Sequence, residues 1–385
     1  MLRNDKRTRI VLSILTGIFL CLGVMAGWYW YTTRHFRAPE ITQNPQIGKW
    51  YRITPEGAKT SCGDDWHGMI KLGKENKVIV YFFGGGVSVD SYTAARPMGQ
   101  PGGFYADYPE QDIMVQSGIA KNEKDNPFRD WTVLAVQYSN GDFHIGTGEF
   151  QYKDLKGQTQ TLFHHGYTNY SLFMQEAMKY VKQPDALLVT GFSAGGFGAA
   201  LLADDVVSNY FPKVDNVTVE VDSAMILNKQ WPKVAKDVWK APKEMSQKLG
   251  SDNITLDSLC ALSAKYKNRV KILFDCSVRD ETLQQYQCYF DKGKKECSKE
   301  NSDCFQKDLK KMVRKMEQKI PNAGVYIWEL PCGNDKMKMT QHMIICENDF
   351  CKNDFEQGKT VADWMMDAVN GNVRCYGEEL LEKNY

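Results

Sequence analysis

Six short runs of apolar, β-branched and aromatic residues recur along the chain. They are Val78–Phe83 (VIVYFF), Val133–Tyr138 (VLAVQY), Ala186–Thr190 (ALLVT), Val217–Val221, Val270–Phe274 (VKILF) and Val325–Leu330 (VYIWEL). Runs of five or six such residues, without alternation, are the pattern of strands buried on both faces. Between them the spacing changes to that of helices, as in Tyr170–Val181 and the alanine- and leucine-rich Phe197–Val207. Phe305, Leu309, Met312 and Met316 fall at intervals of four, three and four, which puts one apolar stripe on a helix whose lysines face solvent. Strands alternating with helices predict an α/β fold, with a mainly parallel sheet flanked by helices. Residues 232–268 and 281–304 interrupt the rhythm and are expected to form a cap.

The first 31 residues follow a different pattern. Arg3, Lys6, Arg7 and Arg9 precede an uncharged run from Ile10 to Tyr31, closed by Trp28, Tyr29, Trp30 and Tyr31. A membrane crossing needs about 20 apolar helical residues, and a basic flank stays cytoplasmic. The expectation is a cytoplasmic tail (1–9), a transmembrane signal-anchor (10–31), a polar tether (32–46) and an extracytoplasmic domain (47–385). A cleaved secretory signal is the alternative, and would leave the domain secreted. Ten of the 11 cysteines lie beyond that run, nine of them between Cys260 and Cys375. An even number in an exported chain predicts disulfides, and the absence of any C-x2-C pair argues against zinc. The formal net charge of +1 argues against a nucleic-acid binder, which normally shows a strongly basic face. Asn169, Asn216 and Asn253 begin glycosylation sequons.

Candidate chemistry begins at Gly191-Phe192-Ser193-Ala194-Gly195. The ALLVT strand runs into this G-x-S-x-G sequence and a helical pattern leaves it. A tight strand-to-helix turn is what pushes a serine hydroxyl out over a sheet edge, so Ser193 is the expected nucleophile. The hydrolase order is serine, acid, histidine. Of six histidines only His342 follows Ser193, in a loop after the last strand, and it becomes the candidate base. Asp275 and Asp280 are the candidate acids after VKILF; Asp280, clear of the strand, is preferred. An oxyanion needs preorganised backbone donors. Ala194 is one candidate, and Gly85 or Gly86, in the Gly84-Gly85-Gly86 turn after VIVYFF, supplies the other. Asp142 and His144, after VLAVQY, are candidates for substrate contact. None of these steps calls for a metal or an organic cofactor.

These motifs, taken in order, resemble the pectin acetylesterase/Notum family of carboxylesterases from about Trp50 to Asn370. The shared marks are Gly84–Gly86, then Gln137-Tyr138-Ser139-Asn140-Gly141-Asp142, then Gly191–Gly196. Val221-Asp222-Ser223-Ala224, Asp280-Glu281 and Gln341-His342 complete the set. The resemblance implies an α/β-hydrolase-like fold and a serine esterase with Ser193, Asp280 and His342 as triad. It also implies Gly85, Gly86 and Ala194 as oxyanion hole, and Asp222 as a structural aspartate. Phe83 and Val87 stand where the family usually has Glu and Trp, and Ser139 stands where it has Cys; these changes touch the pocket walls. The expected activity is hydrolysis of an ester, foremost an O-acetyl group on a carbohydrate, by a monomer. A fatty-acyl esterase and an inactive glycan-binding hydrolase fold are the alternatives.

Overall fold

The computed structural model describes residues 36–108, 112–333, 336–352, 354–356 and 358–385. The expected tail and anchor, and the first residues of the tether, lie outside these. Among the described residues no helix is long and apolar enough to cross a membrane.

Pro39–Tyr385 form one unit around an eight-stranded sheet. Its strands are β1 (Trp50–Ile53), β2 (Gly68–Lys71), β3 (Lys77–Phe82) and β4 (Thr132–Val136), then β7 (Ala186–Gly191), β8 (Val217–Asp222), β9 (Val270–Ser277) and β10 (Ala323–Trp328). The order across the sheet is β1-β2-β4-β3-β7-β8-β9-β10. From β4 to β10 every pairing is parallel, whereas β1–β2 and β2–β4 are antiparallel, so the sheet is mixed. Both missed strands are four residues long and end in or contain a charged residue, too little for a pattern to register. Residues Pro39–Ile41 lie alongside β1, through hydrogen bonds on both sides of Arg52. A separate hairpin, β5 (Gly148–Lys153) with β6 (Thr159–His164), is largely exposed.

The helices are α1 (Gly166–Ala177), α2 (Ala194–Asp205), α3 (Trp231–Asp237), α4 (Ile254–Tyr266), α5 (Glu281–Lys292), α6 (Lys299–Lys319) and α7 (Val361–Val369), with short single turns between. Helix α2 packs on β3, β7 and β8, and α4 on α2 and β9. Residues 254–266 therefore cover the sheet, a correction to the expected cap. The 231–239 segment does reach over the loops: Trp239 donates from Nε1 to Ser88 O and accepts from Thr147 and Gly148 N–H. On α6 the stripe Phe305, Leu309, Met312 and Met316 is buried as its spacing requires.

Chain order places a crevice. From β3 the chain turns to β4 on one side, while β7, on β3's other side, leads on to β8. Connections that diverge from neighbouring parallel strands leave a gap at the strands' carboxyl ends. The loops after β3 and β7 carry Gly84–Gly86 and Ser193 respectively.

The cysteines depart from expectation. All ten described cysteines are free thiols, and Cys276, Cys288 and Cys346 are buried. Cys288 and Cys297 have sulfurs 2.7 Å apart, whereas a disulfide bond needs about 2.0 Å. The sequon asparagines are structural as well. Asn169 is buried and bonds to Lys59 and Asn140, and the Asn253 carbonyl caps α4.

Candidate active site

Ser193 stands between β7 and α2 with φ at +55° and ψ at −123°, a conformation non-glycine residues seldom adopt. The strain, about 1–3 kcal/mol, persists only where neighbours over-determine the turn. Here they do. Ser193 N–H donates to Asp222 O at 2.9 Å, and Gly195 N–H to Phe192 O at 2.8 Å. A Cβ on Gly195 would lie 2.1 Å from Phe82 O, so the turn sits directly on the end of β3. Phe192 and Ala194 are buried, and Ser193 between them keeps partial exposure.

The glycine turn after β3 abuts this serine. A Cβ on Gly84 would come within 2.9 Å of Ser193 Cβ and 2.5 Å of Phe192 O. Gly85 and Gly86 have φ of +152° and +72°. Their carbonyls are engaged, by Ala106 N–H and the Tyr138 hydroxyl, and Val87 N–H is taken by Phe104 O. The Gly85 and Gly86 N–H groups donate to no acceptor among the described residues. Ala194 opens α2, where first-turn amides have no helical acceptor and attract negative charge. Gly84→Ala is expected to displace the serine and lower kcat on the order of 10²-fold, as small misplacements do. Turnover of p-nitrophenyl acetate measures it, and unchanged kcat would show that the turn has room to give.

His342 comes from the other side of the sheet edge. Its Nδ1 lies 2.7 Å from Asp280 Oδ2, with both side chains buried. A carboxylate only accepts, so the neutral ring carries its proton on Nδ1 and leaves an electron pair on Nε2. Nε2 has no hydrogen-bond partner among the described residues. Asp280 is itself fixed by its other oxygen, which accepts from Thr282 and Leu283 N–H at the start of α5. Burial pulls the His342 pKa down, but the charge and hydrogen bond of Asp280 outweigh it, with Asp222 and Glu281 adding to them. The net result is an imidazole that holds its proton more tightly than an ordinary histidine. Asp275, the other candidate acid, is a residue of β9 bonded to Trp328 Nε1 at 3.0 Å. Burial pushes its carboxyl up, and it shares a hydrogen bond with buried Glu220.

Two residues hold the site together: Asp222, which the family resemblance marks as structural, and Arg279, which sequence patterns missed. The main-chain carbonyl of Asp222 takes the Ser193 N–H, and its carboxylate takes the N–H groups of Ile344 and Ile345 at 2.8 and 2.9 Å. One fully buried residue thus ties the serine turn to the histidine loop. Arg279, equally buried, donates to the carbonyls of Met337 and Lys338, and its own N–H bonds to Thr340 Oγ1. A cation beside a strand gives no signal of the role of Arg279, because the carbonyls it reaches lie over 50 residues away.

Asp142 and His144 require correction as substrate contacts. They are 0% and 1% exposed. His144 bonds through Nε2 to Phe83 O, and Asp142 accepts from His144 and Gly166 N–H. Burial raises the Asp142 pKa to about 7 and lowers that of His144 to about 4, leaving a neutral imidazole. Positive φ at Phe143 and His144 turns this loop inward, beneath α2.

A strained serine at a strand-to-helix turn, facing a glycine turn across a crevice, is a hydrolase arrangement, and comparison with known proteins agrees. The family model for pectinacetylesterase matches residues 71–375. The chain belongs to the pectinacetylesterase family. Membership makes it an ester hydrolase by class. Among solved structures, the Wnt deacylase Notum from Drosophila matches in two crystal forms, at 13% and 14% identity with TM-scores of 0.55 and 0.56. These matches cover 83% of this chain and 92% and 93% of Notum, a likeness of fold. No curated protein matches.

Proposed function

We propose that this pectinacetylesterase-family protein is a serine carboxylesterase that removes O-acetyl groups from a carbohydrate. The observation that carries the reading is the His342–Asp280 pair, its Nε2 unengaged, on a loop tied through Asp222 to the Ser193 turn. In this mechanism Nε2 takes the Ser193 proton as Oγ attacks the ester carbonyl. The oxyanion is held by the N–H groups of Gly85, Gly86 and Ala194. Asp280 keeps the ring in its Nδ1–H tautomer and stabilises the imidazolium. His342 then protonates the departing sugar oxygen, and water releases acetate from Ser193 by the same steps in reverse. No step draws on a metal or organic cofactor. The basic flank and apolar run of residues 1–31 support, in the same proposal, an extracytoplasmic site for this chemistry, on a single-pass anchor or secreted if that segment is cleaved.

The likeness to a Wnt deacylase favours a second reading, in which the acyl group is a fatty acid. A chain-length series of p-nitrophenyl esters, with acetate release from acetylated polysaccharides, separates the two. Acetyl esters are expected to be cleaved with the highest kcat/KM. Preference for octanoyl or longer esters would transfer the assignment to fatty-acyl substrates. No turnover of any ester, with no fluorophosphonate labelling, would leave an inactive hydrolase fold.

A further inference from the structure

Three carboxyl groups lie side by side in the sheet that carries the site. Glu220 and Asp222 are two residues apart on β8, and Asp275 stands opposite Asp222 on β9, so all three point to one face. Each is completely buried. The amides of Ile344 and Ile345 account for Asp222. Glu220 and Asp275 have no part in the mechanism, and neither makes an ion pair among the described residues. Two bare charges so placed are costly.

The hydrogen bonds show how the pair avoids this. Thr190, on β7, donates its hydroxyl to Glu220 Oε2, and Trp328, on β10, donates Nε1–H to Asp275 Oδ1 at 3.0 Å. Glu220 Oε1 and Asp275 Oδ2 receive no such donor, yet the two carboxyls are in hydrogen-bonding contact with each other. Ionised carboxylates only accept, so a bond between them needs a proton. One shared proton satisfies both oxygens, whereas a second would find no acceptor. Burial holds it above the ordinary carboxylate range, and the charge of Asp222 adds to this. The titratable groups around the three acids are Tyr81 on β3, Cys276 on β9, and His342, Cys346 and Glu347 on the histidine loop. Only His342 among them can become a cation, and Asp280 holds it.

The pair sits where the two halves of the site meet. Asp222, between Glu220 and the serine turn, takes the Ser193 N–H on its carbonyl. The Asp275 carbonyl accepts from Ser223 N–H at 2.9 Å, and Ser223 Oγ accepts from Met343 N–H at 3.2 Å. Ser223 and Met343 have φ of +53° and +55°, and such backbone persists only where neighbours over-determine it.

We infer that Glu220 and Asp275 are positioning residues that share one proton, and that this proton keeps the Asp222–Ser223 corner joining the Ser193 turn to the His342 loop. Its loss to solvent base sets three like charges together in a dry layer, pushes the strand ends apart and separates nucleophile from base. The inference rests on the esterase reading for its effect on activity; the shared proton stands without it.

Glu220→Gln and Asp275→Asn each put an amide N–H in place of the shared proton and keep the pair's single negative charge, with nothing to ionise. In the full-length protein in detergent, the rate of fluorophosphonate labelling of Ser193 is expected to fall as pH rises from about 7 to about 10. In each variant the fall should move up by about one pH unit or more. A merely structural role would lower the rate at every pH and leave the limb in place. The thermal midpoint gives a reading that needs no ester chemistry. The folded pair keeps a proton that the unfolded chain releases near pH ~4, so the stability it confers declines as pH rises to the pair's own ionisation and is level beyond. The variants should show a flatter decline. Labelling of the unmodified protein with no alkaline fall, a fall at the same pH in both variants, or failure of both to fold overturns the inference, since each amide preserves every hydrogen bond of the singly protonated pair. A flatter stability profile in the variants, with no labelling or ester turnover at any pH, would instead reject the esterase reading and keep the shared proton.

Discussion

Ser193→Ala is expected to lower kcat for p-nitrophenyl acetate by about 10⁵–10⁶-fold, the scale on which a serine hydrolase loses turnover with its nucleophile. The change removes one oxygen from a partly exposed side chain, so packing is barely touched. It even relieves nothing in the turn, because alanine must adopt the same +55° φ that Ser193 does, held by the Asp222 carbonyl and the end of β3. The thermal midpoint should therefore stay within a degree or two while turnover disappears. Fluorophosphonate labelling gives an independent reading, since it needs the hydroxyl and an activating base but no substrate fit. Labelling of the variant as strong as that of the unmodified protein would place the nucleophile elsewhere. A residual rate above background is compatible with the proposal, because unaltered oxyanion donors still bind and polarise the carbonyl.

How far the chain announces this arrangement depends on the range of the signal. Each of the six apolar runs lies within or overlaps a parallel strand from β3 to β10, because burial on both faces writes itself into consecutive residues. Strands β1 and β2 carry Arg52 and Lys71, and only tertiary contact makes strands of them. Lys71 is buried with its ammonium on the Arg129 carbonyl. Elimination among six histidines singled out His342, and position relative to a strand preferred Asp280 to Asp275. The pairing of the first two at 2.7 Å is a contact between residues 62 apart, which no local pattern encodes. Asp142 and His144 show the opposite error. Polar residues after a strand look like pocket residues, and nothing in their neighbourhood says that the loop folds back under α2. Cysteine count alone names no pair: an even number is a property of composition, whereas bonding is a property of distance, and Cys288 and Cys297 have sulfurs 2.7 Å apart.

Asp280→Asn is expected to lower kcat by about 10⁴-fold, through the wrong tautomer more than through lost charge. The cause lies in the double duty of this side chain. One oxygen accepts from Thr282 and Leu283 N–H at the start of α5, and the other faces His342 Nδ1. Asparagine caps a helix as well as aspartate does, so its carbonyl keeps the α5 amides and the fold survives. That orientation turns the amide NH₂ toward His342 and makes Nδ1 the acceptor. The proton then sits on Nε2, where the base should hold an electron pair. The pH profile gives a second reading. A histidine must be neutral to accept the serine proton, so activity falls as pH drops through its pKa. In the unmodified protein Asp280 raises that pKa against burial, which sets the acid limb above the ordinary value of about 6.5. Without the carboxylate, burial prevails, and the limb of the residual activity should move to lower pH. The two effects have opposite appearances, a large loss in rate and a gain in acid tolerance, and a merely loosened site would give only the first. An Asp280→Asn protein within tenfold of full turnover, or one whose acid limb stays in place, would separate Asp280 from the work of His342.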